Sequence, residues 1–411
     1  MPASWPRGSR RAERWRTAVA YPELIADPIV LRLLGLLTWA VLLAWLVLYF
    51  GRGHFWRCSE RLAAVIAPPP QWPAVVAVVP ARNEAAGIGP CVRSILSQDY
   101  PGSLHLIVVD DQSSDDTAAL ARQAAAAVGA SHRLQVLRGQ DLPPGWAGKV
   151  WAQSQGVAAA GDVPWLWFTD ADIQHGETVL RRLVAKAEGE QRVLVSLMVE
   201  LSCQSFWERL LIPAFVFFFQ KLYPFAWVND ARHRLAGAAG GCMLLCRDAL
   251  ERAGGLARMR AALIDDCTLA GLLKPMGAIW LGLTHDSRSL RAYPRLDEIW
   301  SMVARSAYVQ LEQKPSRLLL AVTGMTLLYL WPLLALLYGV LTQVWWLWLP
   351  AAVALLLAWR MYVPMLRFYS LPWWWGASLF PAAWLYTLMT VDSGRRHYLG
   401  RGGAWKGRHY S

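Results

Sequence analysis

The chain has 411 residues, of which 55% are hydrophobic and 12% aromatic while only 17% are charged. This excludes a disordered chain and a single water-soluble domain, and part of the protein must lie in lipid. The formal net charge of +12 comes largely from basic residues crowded beside apolar segments, a pattern that serves cytoplasmic retention and attraction to anionic lipid, so no nucleic-acid partner is expected.

Residues 1–28 form a basic segment with Arg7, Arg10, Arg11, Arg14 and Arg16, followed by an apolar run, 29–50, of the length a spanning helix needs. A cleavable signal peptide is the rival reading, but the run starts late and no small-x-small site follows before Arg52. Residues 51–72 read as a linker.

The block 73–290 alternates strands and helices. Ala74–Val79 is a β-branched run, PARNE (Pro80–Glu84) a polar loop, and Ile88, Val92, Ile95 and Leu96 recur at helical spacing. Leu104–Val109, the loop DDQSSDDT (Asp110–Thr117) and an Ala-rich helix to Val128 repeat the unit, and Leu134–Leu137 and Trp165–Thr169 add further strands. Such alternation implies a mostly parallel sheet whose ligands bind beyond the carboxyl ends of its strands. Both loops then face one crevice, where carboxylates can accept from a nucleoside. Helix capping by Ser114 or Asp115 explains the later acids, but not Asp110 and Asp111. No G-x-G-x-x-G or Walker loop occurs, which weighs against dinucleotides and ATP.

LPPGWAGKVWA (Leu142–Ala152) places Lys149 at the start of a helix, where a cation suits a phosphate-bearing ligand. WLWFTDADI (Trp165–Ile173) is a buried-strand run ending in Asp170 and Asp172, two acceptor-only carboxylates suited to a hard divalent cation; solvated turn carboxylates are the alternative. Phe206–Phe225 is apolar and aromatic but broken by Glu208, Arg209, Gln220 and Lys221, which makes it a poor spanning helix. An amphipathic helix at 205–225, lying in the membrane interface with Phe and Leu facing acyl chains, is expected; a core helix on the sheet is the alternative. Asp265 and Asp266 in LIDDCTLA (Leu263–Ala270) are either a helix N-cap or a second working pair of acids. His285, after the apolar run Ile279–Leu283, is a loop histidine or an added metal ligand.

An interfacial segment, 291–317, leads to a membrane block, 318–391, with hydrophobic stretches Leu318–Gly339, Val344–Ala358 and Trp373–Met389, then a basic tail, 392–411. Tryptophans cluster at the ends of these stretches, as at headgroup level. One span before the soluble block and three after it cannot place both basic tails and that block on the same side of the membrane, so either a segment is re-entrant or one basic tail is outside. The six cysteines lack a C-x-x-C pair and read as reduced thiols of a cytoplasmic domain.

PARNE, VVDDQSSDDT, GK and FTDAD, in this order, resemble the GT-A domain of family 2 glycosyltransferases, and GAAGGCMLLCRDALERAGG (Gly237–Gly255) and LIDDCTLA continue the likeness. LPPGWAGKVWA, LLIPAFVFFFQKLYPF, RSAYVQL and the terminal WKGR (Trp405–Arg408) are most similar to the membrane-bound hopanoid-associated members. The resemblance implies a GT-A nucleotide-diphospho-sugar transferase fold, Rossmann-like and mostly parallel, inserted between membrane segments. It puts the donor, a UDP-sugar, against Pro80, Ala81, Arg82, Glu84 and Asp110 or Asp111, with Lys149 on its phosphates. It makes Asp170 and Asp172 the ligands of Mg²⁺ or Mn²⁺, Asp172 directly, and Asp266 the general base beside Asp265. The implied reaction is single, inverting transfer of a sugar to a hopanoid-like or polyprenyl lipid, at a bacterial inner membrane with the catalytic domain cytoplasmic. Polymerising members carry Q-x-x-R-W; here the matching place is Met302–Ser306, which keeps only Arg305, a diphosphate contact. A processive polysaccharide synthase and a noncatalytic membrane scaffold are the rival readings.

Overall fold

The structure, a computed structural model, describes residues 28–400 and the backbone of Ala404–Trp405 and Arg408–His409. The arginines expected before residue 28, together with Arg401, Lys406 and the side chains of WKGR, lie outside the described residues.

Eight strands form one sheet: β1 (Val75–Ala81), β2 (Leu104–Asp110), β3 (Leu134–Arg138), β4 (Trp165–Phe168), β5 (Ile173–His175), β6 (Arg192–Glu200), β7 (Met243–Cys246) and β8 (Ala278–Ser289). Their order is β3-β2-β1-β4-β7-β6-β8-β5. The first four run parallel, as do β6 and β8, whereas β7 is antiparallel to both its neighbours and β5 to β8. This is the mixed, mostly parallel sheet that the strand-helix alternation leads one to expect.

The helices used below are α1 (Pro28–Gly51), α2 (Ile88–Leu96), α3 (Thr117–Ala127), α4 (Gly148–Ala159), α5 (Val179–Gly189), α6 (Phe206–Leu222), α7 (Asp265–Leu273), α8 (Leu296–Gln310), α9 (Pro315–Leu341), α10 (Trp345–Phe368) and α11 (Leu379–Tyr398). β1 is buried along its whole length, as a central parallel strand covered on both faces must be. Because side chains alternate across a strand, Val75, Ala77 and Val79 pack under α2 and α5, while Val76 and Val78 join the opposite core with Leu166 and Phe168. That second core runs without a break through α6 into Trp45 of α1 and Tyr362 and Met365 of α10.

Among the described residues, α1, α9 and α10 are long and apolar enough to cross a membrane. The stretch Trp373–Met389 divides into a 3-10 turn, Trp373–Ser378, and α11. α11 ends in charge (Asp392, Arg395, Arg396) and docks on protein: Tyr386 Oη donates to Leu211 O of α6 (2.9 Å), and Trp300 Nε1 of α8 donates to Asp392 (2.8 Å). The region read as a linker is packed rather than loose, with Phe55, Trp56, Cys58 and Leu62 buried.

The placement of α6 corrects one expectation. Leu210, Leu211, Ile212, Val216 and Phe217 do not face acyl chains; they are buried between the sheet and the membrane helices. An apolar face satisfies protein or lipid equally well, and here α10 and α11 cover it. Ser205 and Glu208 close a capping box at its start.

Candidate active site

β1 and β2 end level, with Ala81 opposite Asp110, so the loops after them lie side by side. They are zipped together: Asn83 N–H donates to Ser113 Oγ (3.0 Å), Ser114 N–H to Asn83 Oδ1 (2.8 Å), Ala85 N–H to Asp115 Oδ2 (3.1 Å) and Glu84 N–H to Thr117 Oγ1 (2.9 Å). Asn83 and Gln112 both take left-handed backbone, at φ 51 and φ 56, to make these turns. Asp110 accepts from Ser113 N–H (3.0 Å), whereas the Asp111 carboxylate is wholly buried, 3.8 Å from the Arg82 guanidinium. Asp110 is therefore the acid of this pair that a ligand can reach.

Beyond these strand ends opens a cavity of about 340 Å³ lined by Pro80, Glu84, Lys149, Asp170, Asp172, Asp265, Asp266 and Arg305, among others. Ala81, Arg82, Asp110 and Asp111 lie beside it rather than on its wall. The two acidic pairs, far apart in sequence, meet at one cation: Lys149 Nζ is 2.8 Å from Asp170 Oδ1 and 3.0 Å from Asp265 Oδ2. Burial alone would lower the Lys149 pKa, but Asp170 and Asp265 outweigh it and raise it, so the ammonium stays charged.

Neither acid of the second pair serves as a side-chain N-cap, since both stand in the first turn of α7 after Ile264. Asp266 accepts from Gly240 N–H (2.9 Å) and Cys267 N–H (2.7 Å). Gly240 can approach this closely because it lacks a Cβ, which would lie 3.2 Å from Lys149 Nζ. Burial first, then repulsion from Asp265, push the Asp266 carboxyl up to about 6. It is thus ionised at neutral pH yet basic enough to take a proton.

Two residues that the sequence did not disclose hold the first pair. Arg291 Nε lies 3.1 Å from Asp172 Oδ2, and its Nη2 lies 3.1 Å from Glu84, so one guanidinium bridges the Asp172 carboxylate and the PARNE loop. Burial also raises the Asp170 and Asp172 pKa values, against the pull of Lys149 and Arg291 respectively. Behind them, Thr169 Oγ1 donates to Gly241 O (2.8 Å) and therefore accepts from His175 Nε2–H (2.8 Å); Ser287 Oγ completes the chain at His175 Nδ1 (2.8 Å). Burial lowers the His175 pKa to about 3, and this neutral imidazole pins the residue that precedes Asp170. A basic residue just past a strand end was the available signal for Arg291; a lone histidine after Asp-x-Asp gave none.

Among the described residues no three His, Cys, Asp or Glu side chains group to hold a metal. Asp170 and Asp172 nevertheless suit Mg²⁺ or Mn²⁺, which commonly takes one or two carboxylates and completes its shell with substrate phosphate and water. Charge agrees, because Glu84, Asp170, Asp172, Asp265 and Asp266 face only Lys149, Arg291 and Arg305 on the cavity wall, an excess equal to one divalent cation. His285 is not available to such an ion. β8 continues through it to Ser289, and its ring stacks on Phe368 (4.1 Å) with Nδ1 3.2 Å from Glu200.

A second, apolar chamber of about 530 Å³ adjoins the first and shares Phe215, Phe219, Asp266 and Ser306 with it. Most of its remaining wall comes from α6, α8, α9 and α11, including Leu320, which is 73% exposed on the outer surface of α9. Asp266 is the only carboxylate that lines both spaces among the described residues.

Residues 76–254 match the family described as Glycosyl transferase family 2. The chain is 36% identical over 114 residues to a 4,4'-diaponeurosporenoate glycosyltransferase of Staphylococcus aureus, covering 28% of this chain and 27% of that one. It is 36% identical over 118 residues to a beta-monoglucosyldiacylglycerol synthase of Synechocystis sp., covering 28% of this chain and 22% of that one. The matches thus span about a quarter of the length of these relatives. Among solved structures, a mannosyltransferase of Pyrobaculum calidifontis in complex with GDP-Man and Mn²⁺ aligns over 88% of this chain and 99% of its own, with a TM-score of 0.48 and 18% identity.

Proposed function

We propose that the chain is a membrane-integrated, metal-dependent glycosyltransferase that moves one sugar from a nucleotide-diphosphate sugar to an apolar lipid acceptor, hopanoid-like or polyprenyl. The observation that carries this reading is the position of Asp266 on the shared wall of a charged cavity and an apolar chamber. The two curated relatives, named for a carotenoid acid and a diacylglycerol product, agree with a lipid acceptor.

In this reading the nucleoside lies along the zipped loops at Pro80, Ala81, Arg82, Glu84 and Asp110, with Asp111 and Arg82 holding the loop from beneath. Lys149 and Arg305, both on the cavity wall, would face the diphosphate. Asp170 and Asp172 would hold Mg²⁺ or Mn²⁺, which when bound neutralises charge on the leaving diphosphate. The acceptor's apolar body occupies the chamber and its hydroxyl meets Asp266. The acceptor oxygen forms a bond to the anomeric carbon as the bond to the diphosphate oxygen breaks; the electron pair leaves with the diphosphate, the proton goes to Asp266, and configuration inverts. Asp265 stays bound to Lys149, leaving Asp266 to receive the proton.

With α1, α9 and α10 spanning, the chain's two crossings after the catalytic domain return the tail to that domain's side, which we assign to the cytoplasm of a bacterial inner membrane. The test is incubation of membranes containing the protein with labelled nucleotide sugars, followed by analysis of extracted lipid. One labelled product of single-sugar mass, absent with Asp172→Ala, is expected. A ladder of oligomers would favour the processive reading, and unlabelled lipid with every donor would leave the scaffold reading.

A further inference from the structure

The apolar chamber carries a charge that transfer to a plain alcohol does not use. Lys221, near the end of α6, is the only Lys or Arg lining the chamber among the described residues. Its ammonium meets Tyr329 Oη at 3.1 Å, Met325 Sδ at 3.9 Å, and the ring faces of Phe218 and Tyr329 at 4.9 and 5.0 Å. No carboxylate pairs with it among the described residues, although Asp266 lines the same chamber. The charge beside it is another cation, Arg52, which donates to the carbonyls of Lys221 (3.0 Å) and Leu222 (3.3 Å) and stacks over Trp227 (5.0 Å). Burial and Arg52 lower the Lys221 pKa to about 8, leaving it mostly charged at neutral pH.

A desolvated cation beside a second cation is unfavourable by itself, and aromatic faces recover only part of the lost hydration. An oxyanion brought by a ligand would offset the rest. The site is also shaped: Tyr329 lies in a π-helical turn, Thr326–Leu330, which interrupts α9 where it borders the chamber, and such turns concentrate at binding sites. Met325 and Leu328, which precede Tyr329 in the chain, line the chamber directly.

We propose that the chamber selects an amphiphile with an acidic group, a carboxylate or phosphate monoester, which pairs with Lys221 while the hydroxyl to be glycosylated faces Asp266. The proposal rests on the lipid-acceptor reading above and narrows the substrate class. Lys221 and Asp266, both lining the chamber, then act as two contacts for one bifunctional lipid.

The test uses the full chain in phosphatidylcholine nanodiscs, with a fluorescent long-chain fatty acid, cis-parinaric acid, as probe and its methyl ester as control. Wild type is expected to bind the acid about tenfold or more tightly than the ester at neutral pH, with the preference fading above about pH 8. Lys221→Met, which removes the charge and keeps the volume, should equalise acid and ester; Lys221→Arg should keep the preference. Dodecyl phosphate should compete and inorganic phosphate should not. Equal binding of acid and ester by wild type, an unchanged preference in Lys221→Met, or displacement by inorganic phosphate alone would each overturn the proposal. No donor or metal is present, so a failed sugar-transfer test leaves this result intact, and failure here leaves the transferase reading standing.

Discussion

Replacing Asp266 with Asn separates catalysis from stability. A carboxyl raised from 3.8 to about 6 costs the folded chain about 3 kcal/mol once ionised. Because its folded pKa exceeds its unfolded one, the native state binds the extra proton between these values, and stability falls as pH rises through that window. Asn escapes this cost. Asn has one acceptor where Asp266 has two, so either the Gly240 or the Cys267 N–H loses its partner, at about 1–3 kcal/mol. The two effects nearly cancel, so Asp266→Asn should unfold at or near the wild-type temperature at neutral pH. Its turnover should nevertheless drop by about 10²–10⁴, or about 3–5 kcal/mol of barrier, the usual contribution of a general base. Wild type should lose activity as pH falls through about 6, reaching about a tenth of its plateau at pH 5. The assay is labelled sugar appearing in extracted lipid, with thermal unfolding measured on the same preparations. A variant within tenfold of wild type, or a wild-type profile flat between pH 5 and pH 7, would refute the role given to Asp266.

Asp172→Ala should abolish both transfer and its stimulation by Mn²⁺, and lose Mn²⁺ binding read by electron paramagnetic resonance; retained binding would move the metal elsewhere. Arg291→Met removes the guanidinium that shares Asp172 and Glu84, so donor-free Mn²⁺ affinity should rise about tenfold, and unchanged affinity in calorimetry would show that Arg291 does not compete for the site. Gly324 borders the apolar chamber and a Cβ there meets no atom within 4 Å, so Gly324→Phe should fold normally, raise the acceptor KM by about tenfold or more, and leave donor affinity unchanged. A proportional rise in donor KM would show instead that the substitution disturbs the charged cavity.

The strand ends were readable because burial and chemistry change abruptly there: the apolar run WLWF reads as a covered strand and the acids after it as its tip. Lys149 was readable because Pro and Gly force the turn before its helix. Contacts made across the fold were not. Arg291 reaches Glu84 from 207 residues away, and its place just past a strand end does not disclose that partner. The choice between Asp110 and Asp111 needed the register of β1 against β2, which sends one acid under Arg82 and leaves the other reachable. α6 misled because burial under α10 and α11 and immersion in lipid select the same residues. His285 misled because β8 runs on past its apolar part to pair with β5.

The unbroken apolar body that joins one face of the sheet to α6, α1 and α10 has a practical corollary. A fragment cut at 73 and 290 would be an exposed half-core rather than a miniature enzyme, because it would lay bare the face of α6 that Tyr362 and Tyr386 cover through Phe217 and Phe218. Unfolding of the bilayer anchor and of the sheet should therefore register as one transition, and solubilising agents mild enough to preserve α10 should be needed to keep that face of the sheet covered.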